Sequence, residues 1–391
     1  MPVVNRIAEF HDQMKSWRHE LHAHPELGYE EHWTADFIAA KLESFGIEVT
    51  RGLGRTGVVG RLAGATNQSG RAIGLRADMD ALAMDEANGF AHKSTQTGKM
   101  HACGHDGHMS MLLGAAQYLA ETRNFDGEVY FIFQPAEEGG AGGKAMIDDG
   151  LFDQCSVDTV WGMHNWPGLA EGEIAVSDSA CMASADHFTI TVRGQGSHAA
   201  MPHQASDPVL ASAALIQALQ MIVSRRADPV NPAVVSVTMV NGGSAFNVIP
   251  DEVSLSGTIR AISSEARHDM HQQMQQIASS VAAAHGCNSS FEMFTGYPPT
   301  VNHPAEAERA ATIAASLVGP GRVHRNLPPS MAAEDFAFML EQRPGCYIWL
   351  GAGEAQPGKM LHNTEYDFND DILSTGASYW ARLVESELTT P

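Results

Sequence analysis

Basic residues are scarce in this chain. Its 391 residues include 24 lysines and arginines against 46 aspartates and glutamates, for a formal net charge of −22, and nowhere do the basic residues form a run. A surface of that sign cannot neutralise a phosphate backbone, which argues against a nucleic-acid partner. Cysteine is thin as well. The five cysteines (Cys103, Cys155, Cys181, Cys287, Cys346) are odd in number and scattered, unlike the dense even sets of secreted disulfide scaffolds, so a reducing compartment is expected. No run of about 18 apolar residues occurs, and "MPVVNRIAEFHDQMKSW" is polar and amphipathic with no apolar leader core. The expectation is therefore a cytoplasmic protein that is not bound to a membrane. Repeats and low-complexity tracts are absent too.

What remains is ordinary globular material, 44% hydrophobic and 18% charged. The length exceeds what one core usually organises, so two domains, or one with a large insertion, are expected. Residues 5–22 and the stretch ending at Gly46 carry helical periodicity. "TGVVGRLAG" and "RAIGLRADMDAL" read as adjacent strands, "HMSMLLGAAQYLAETR" as a helix, and "EVYFIFQPAEEGG" as a buried strand entering a glycine-rich loop. This alternation predicts an α/β sheet with ligands gathered at its carboxyl ends, where the polar clusters fall.

Past Ala183 the texture changes. "DHFTITVRG", "DPVLASAALIQALQMIVSRR", "AVVSVTMVNGG", "DEVSLSGTIRAI", "SEARHDMHQQMQQIASSVAAAHG" and "NSSFEMFTGY" run strand-helix-strand-strand-helix-strand, the βαββαβ order of a ferredoxin-like domain. The expected division is 1–183 and 298–391 for one domain, interrupted by 184–297.

The chemistry concentrates in "MHACGHDGH". Cys103 and His105 are one residue apart and converge from an extended turn if Gly104 supplies the backbone freedom; thiolate and imidazole suit a divalent transition ion. Either residue alone would more often be a buried structural side chain. A rival pairing sets His101 and His105 at helical spacing, but the glutamate such a motif needs is replaced by Ala102. "PAEEGG" adds Glu137 and Glu138; neighbours there point in different directions, so one can bind metal while the other serves as general base. His164 in "GMHNWP" and His362 in "LHNTEYDF" gain weight from this company. These residues exceed the three protein ligands of a single catalytic zinc and suggest two metals, with Cys103 able to bridge them. Asp78 in "RADMD" either receives the second ring N–H of a ligand histidine or pairs with Arg76.

Taken together, "HPELGYEE", "RADMDAL", "HACGHDGH", "FQPAEEGG", "GMHNWP", "GSHAAMPH", "NVIPDE" and "HNTEYDF" resemble the co-catalytic di-metal metallopeptidases and aminoacylases. Within them the likeness is to hippurate hydrolases, N-acyl-amino-acid amidohydrolases and auxin-conjugate hydrolases. The resemblance spans essentially the whole chain. It implies a mixed-sheet, aminopeptidase-like catalytic domain with two divalent metal ions (zinc or manganese first, nickel or cobalt as alternatives). The inserted ferredoxin-like domain is then a lid that assembles a homodimer or homotetramer. It further implies Cys103, His105, Glu138, His164 and His362 as metal ligands and Glu137 as base. His198 would stabilise the oxyanion, from its own or a partner subunit, and Asn247 and Arg260 would hold a substrate carboxylate. Many relatives outside this subgroup have an aspartate as bridging ligand and a histidine two residues before the aspartate that corresponds to Asp78, where Arg76 stands here. The implied activity is hydrolysis of N-acyl-amino acids; the alternatives are an exopeptidase for short peptides and a non-catalytic metal or small-molecule binding protein.

Overall fold

The computed structural model describes residues 3–390. Its described residues form two compact units, one within Met1–Ser179, Asn302–Pro328 and Asp335–Pro391, the other within Ala180–Val301 and Pro329–Glu334.

The first unit opens with helices α1 (Asn5–Glu9), α2 (His11–Ala23) and α3 (His32–Ser44) and strands β1 (Glu48–Leu53), β2 (Gly57–Ala63) and β3 (Ala72–Asp78). Helix α4 (His105–Thr122) returns the chain to β4 (Glu128–Gln134), followed by a kinked turn, α5 (Glu137–Gly140). Two short helices, α6 (Gly142–Asp148) and α7 (Leu151–Gln154), lead to β5 (Thr159–Trp166) and β6 (Ile174–Val176). β3 is buried at every position and β4 at nearly every one, because both faces are covered by helices and no alternation is needed. Side chains such as Phe131, Phe133 and Trp161 are fully buried, each stabilising the fold by roughly 1.5–3 kcal/mol.

The second unit begins at β7 (Ala180–Met182) and β8 (Ala185–Arg193), then β9 (Ser197–His198), α8 (Pro208–Met221), β10 (Ala233–Gly242), β11 (Val248–Ile249) and β12 (Glu252–Ala261). It closes with α9 (Ser264–Ala284), β13 (Asn288–Tyr297) and β14 (Thr300–Val301). Its antiparallel sheet runs β10-β12-β8-β13, the ferredoxin-like order. Alternation on β8 and β12 sends Phe188, Ile190, Val192, Leu255 and Ile259 to one face, where Leu215, Leu219, Met274 and Ile277 of the two helices cover them. Asp207 caps α8 by accepting from Val209 and Leu210 N–H, and Ser263 caps α9 through Ala266 N–H. The run Pro208–Arg226 is long and apolar enough to cross a membrane by length and composition; Ala211, Leu215 and Leu219 spend that apolarity on the sheet.

The chain then re-enters the first unit through α10 (Pro304–Val318), β15 (Val323–Arg325), α11 (Ala337–Gln342), β16 (Gly345–Gly351) and α12 (Leu373–Glu387). The mixed eight-stranded order is β1-β2-β4-β3-β5-β16-β6-β15. β2 and β3 are thus not neighbours, contrary to the sequence expectation. β4 separates them because α4 carries a crossover that pairs β3 with β4 in parallel, leaving β2 to pair antiparallel on the far side of β4. The ends of β3, β4 and β5 and the start of α4 assemble the polar clusters.

Candidate metal centre and active site

Gly104 makes the centre's central turn. It adopts φ 96° just before α4, and a Cβ there would lie 2.4 Å from Asn165 Oδ1 and 2.9 Å from the Tyr366 hydroxyl. Only glycine fits, and the turn delivers Cys103 and His105 from opposite sides of it. The rival pairing of His101 with His105 fails, because α4 starts at His105 and the two share no helix. His101 is buried, and neither ring nitrogen meets a hydrogen-bond partner among the described residues.

Hydrogen bonding fixes the imidazole tautomers. His105 Nδ1 lies 2.8 Å from the Asp80 carbonyl and His164 Nδ1 lies 2.6 Å from the Asn165 carbonyl. A carbonyl only accepts, so each Nδ1 carries a hydrogen, and each ring, when neutral, offers Nε2 as a lone pair. His164 Nε2 is 3.3 Å from Cys103 Sγ, whereas His105 Nε2 is buried with no hydrogen-bond partner. Glu138 reaches the other side of the thiol: its Oε1 lies 3.2 Å from His362 Nε2, but the two are not aligned to bond. Glu138 N–H donates to Asp80 Oδ2 at 2.9 Å.

Ligand atoms of Cys103, His105 and His164 lie within 4.8 Å of one another, and so do those of Cys103, Glu138 and His362. Cys103 belongs to both triads. Glu137, buried at the start of the α5 turn, groups in the same way with His105 and Glu138. The expected five ligand-type side chains and the adjacent carboxylate are therefore brought together. Two triads sharing a sulfur, with a lone-pair nitrogen and a carboxylate oxygen buried and unbonded, are what a pair of cations would satisfy.

The electrostatics agree. Burial opposes charge on His105, but Asp78 and Asp80 carry its pKa up to about 10, so the spot favours positive charge. Burial, with Glu138 and Glu137 beside it, pushes the Cys103 thiol well up. Burial and the neighbouring His108 hold His164 well below its ordinary value, keeping it neutral as a ligand must be.

Of the two readings of Asp78, the pairing with Arg76 is found, and the expected bond to a ligand histidine is replaced by one to His108. Arg76 Nη1 donates to Asp78 Oδ2 at 2.7 Å, while the ring against Oδ1, at 2.6 Å, belongs to His108 and not to any of the five expected ligands. Burial alone would raise the Asp78 pKa, yet His105, His108 and Arg76 hold it well below the carboxylate range. Arg76 also reaches Gln134 and Asp335, anchoring β3 to its neighbours.

In the second unit, His198 on β9 pairs with Val248 on β11, and the Asn247 carbonyl accepts Ala199 N–H at 3.0 Å, so these two residues lie together. Arg260 is half-buried near the far end of β12, about 26 Å of strand from Glu252 at about 3.3 Å per residue. The unit does not bring it to the other two.

A sequence profile for "Peptidase family M20/M25/M40" matches residues 74–386. The chain belongs to this peptidase family. Among similar members, a hippurate hydrolase from Campylobacter jejuni is 42% identical, covering 98% of this chain and 98% of its own. A solved dinuclear metal-binding peptidase of the M20 family from Bacillus subtilis superposes with a TM-score of 0.86 at 33% identity, covering 98% of this chain and 100% of its own. A solved putative aminohydrolase from methicillin-resistant Staphylococcus aureus gives 0.92 at 30% identity over 99% of both chains. This family member is an amide-cleaving hydrolase of the fold expected, an α/β domain interrupted by an inserted ferredoxin-like one, and its ligand-type side chains suit two divalent metal ions.

Sequence reasoning missed His108 and Asn165 and left Asp80 without a task. His108 follows His105 by one helical turn, the i, i+3 spacing that puts both on one face of α4, and that signal was readable. Asn165 Oδ1 lies 2.6 Å from His108 Nε2, a contact between distant segments that no local pattern announces.

Proposed function

We propose that this hydrolase cleaves N-acyl-amino acids of the hippurate type into a carboxylic acid and a free amino acid. The observation that carries the reading is the sharing of Cys103 by two ligand triads beside the buried Glu137, in a chain 42% identical to a hippurate hydrolase over nearly its full length.

Cys103, His105 and His164 would hold one ion, and Cys103, Glu138 and His362 the other. The thiolate, imidazole and carboxylate donors suit zinc or manganese first, with nickel or cobalt as alternatives. Bound ions supply Lewis acidity at the scissile carbonyl and make water easier to ionise. Glu137 takes the proton of the attacking water and hands it to the departing amine. Asp78 orients the centre through His108. His198 accepts Ala200 N–H at Nδ1 (3.1 Å), so its neutral ring carries hydrogen on Nε2, the form that donates to an oxyanion. Arg260 has no ion-pair partner among the described residues and is suited, with Asn247, to a substrate carboxylate.

In this reading residues 1–183 and 298–391 are catalytic and 184–297 form a lid and dimerisation domain. β10 is an edge strand with Met239 and Val240 exposed, and Phe246 beyond it is fully exposed, a surface that a second copy would cover in a homodimer or homotetramer. The distance along β12 between Arg260 and the His198–Asn247 pair fits His198 and Asn247 both serving the partner's substrate, with Arg260 holding that carboxylate from its own chain. The five free, buried thiols favour a cytoplasmic setting, and the net charge of −22 leaves nucleic acid and membranes as unsuitable partners. The test is a chromatographic assay of hippurate, N-acetylmethionine and dipeptides with zinc-, manganese- and cobalt-loaded protein. N-acyl-amino acids should turn over fastest; a preference for dipeptides would make it an exopeptidase instead.

A further inference from the structure

The segment Glu26–Glu31, within "HPELGYEE", takes no part in the chemistry above, yet it lies against the loop that presents Glu137 and Glu138. Ala81 N–H, just past β3, donates to the Glu26 carbonyl at 2.8 Å, and Leu27 bridges to Ala81 in parallel. Glu31 has no exposure at all. Its Oε1 accepts Ala136 N–H at 2.8 Å, and its Oε2 accepts the Thr56 hydroxyl at 2.6 Å. Tyr29, itself at φ 67°, donates its hydroxyl to the Gly140 carbonyl at 2.7 Å. The loop is held at both ends, one residue before Glu137 and two after Glu138. Between the anchors Gly28 presses on Ala136, where a Cβ would come within 3.0 Å of Ala136 Cα and Cβ.

The loop needs holding. Ala136 and Ala141 sit at φ 51° and 54°, the left-handed region that costs an L residue strain and persists only where the surroundings over-determine it. The left-handed step at Ala136 follows the end of β4 and leads directly into Glu137 and Glu138, whose carboxylate oxygens lie within 4.8 Å of each other. Burial raises the pKa of the Glu31 carboxyl, with Thr56 and Ala136 working against that rise, a costly group to keep where an apolar side chain would pack.

We propose that Glu31 and Tyr29 are positioning residues for the reaction, fixing the Ala136–Gly140 backbone so that the carboxylate of Glu137 stays where the proton is taken. The proposal rests on the reading of Glu137 as base. Neither residue touches substrate; both act through the loop.

The experiment compares Glu31→Ala, Glu31→Gln, Tyr29→Phe and Glu137→Gln in the metal-loaded full chain, measuring hippurate kinetics, metal content and melting temperature. In Glu31→Ala, kcat falls about 10- to 100-fold, the scale of a misplaced catalytic group, while KM changes less than about twofold and both ions are retained. Glu31→Gln, whose amide oxygen still accepts Ala136 N–H, restores kcat to within several-fold, and Tyr29→Phe lowers it several-fold. Wild-type kcat in Glu31→Ala overturns the proposal, as does a loss matched by equal loss of metal or of folded protein. Should Glu31→Ala fail to fold, Tyr29→Phe decides, and an unchanged kcat there is equally fatal. Turnover surviving in Glu137→Gln removes the base reading, whereas an inactive Glu137→Gln beside an undiminished Glu31→Ala removes only the positioning role.

Discussion

His164 Nε2 faces Cys103 Sγ at 3.3 Å while its Nδ1 is tied to the Asn165 carbonyl at 2.6 Å. The ring cannot turn away without losing that second bond, so thiol and imidazole are set as a pair before any ion arrives. Because Cys103 also belongs to the triad of Glu138 and His362, its removal should be felt at both ions. Cys103→Ala is expected to fall from two bound ions to fewer than one by elemental analysis, while His362→Ala keeps one. Equal stoichiometry in the two variants would refute the shared sulfur.

His108 binds no ion in this reading, yet it donates its Nδ1 hydrogen to the Asp78 carboxylate at 2.6 Å and packs edge-on against His164 at a centroid distance of 4.5 Å. His108→Ala should weaken metal affinity about 10- to 100-fold, the range for outer partners of metal ligands, as read by chelator competition.

His22 is wholly buried between Asp106 and Glu86. Burial opposes its charge, but the two carboxylates carry its pKa from 6.5 up to about 9. A raised folded-state pKa stabilises fully below the unfolded value near 6.5 and is lost as pH rises through about 9. Melting temperature should therefore fall between pH 7 and 10 in the wild type and fall less in His22→Gln, with a difference at neutral pH on the order of a few kcal/mol.

Arg260→Ala is expected to raise KM for substrates bearing a free carboxylate at least about tenfold, the scale of a lost charge-assisted bond, and to leave their amides nearly unchanged. Parallel kinetics on an acid and its amide check it; equal effects on both would reject the assignment.

Met239 and Val240 are 55% and 59% exposed on the edge strand β10. Met239→Lys should shift sedimentation toward the monomer without lowering the unfolding free energy of the isolated chain by more than about 0.5 kcal/mol, as for a surface change.

Much of this could be read from the chain, for identifiable reasons. β4 and β16 announce themselves as continuous apolar runs, and the second unit's alternation and caps at Asp207 and Ser263 act locally, within the reach of pattern. The candidate ligand residues are chemically conspicuous wherever they stand. What escaped was pairing at a distance: the insertion of β4 between β2 and β3, the choice of His108 as the Asp78 partner, and the contact of Glu31 with Ala136 across 105 positions. Such choices depend on how helices pack on the sheet, and no window of sequence contains both partners.

The tautomers at His105 and His164 and the raised thiol at Cys103 also bear on how the enzyme is charged with its cofactor. A sulfhydryl hydrogen, and the hydrogen that the acidic neighbours of His105 attract, must leave as an ion enters, so each loading event acidifies the medium. Mild acid should then weaken the hold on both ions.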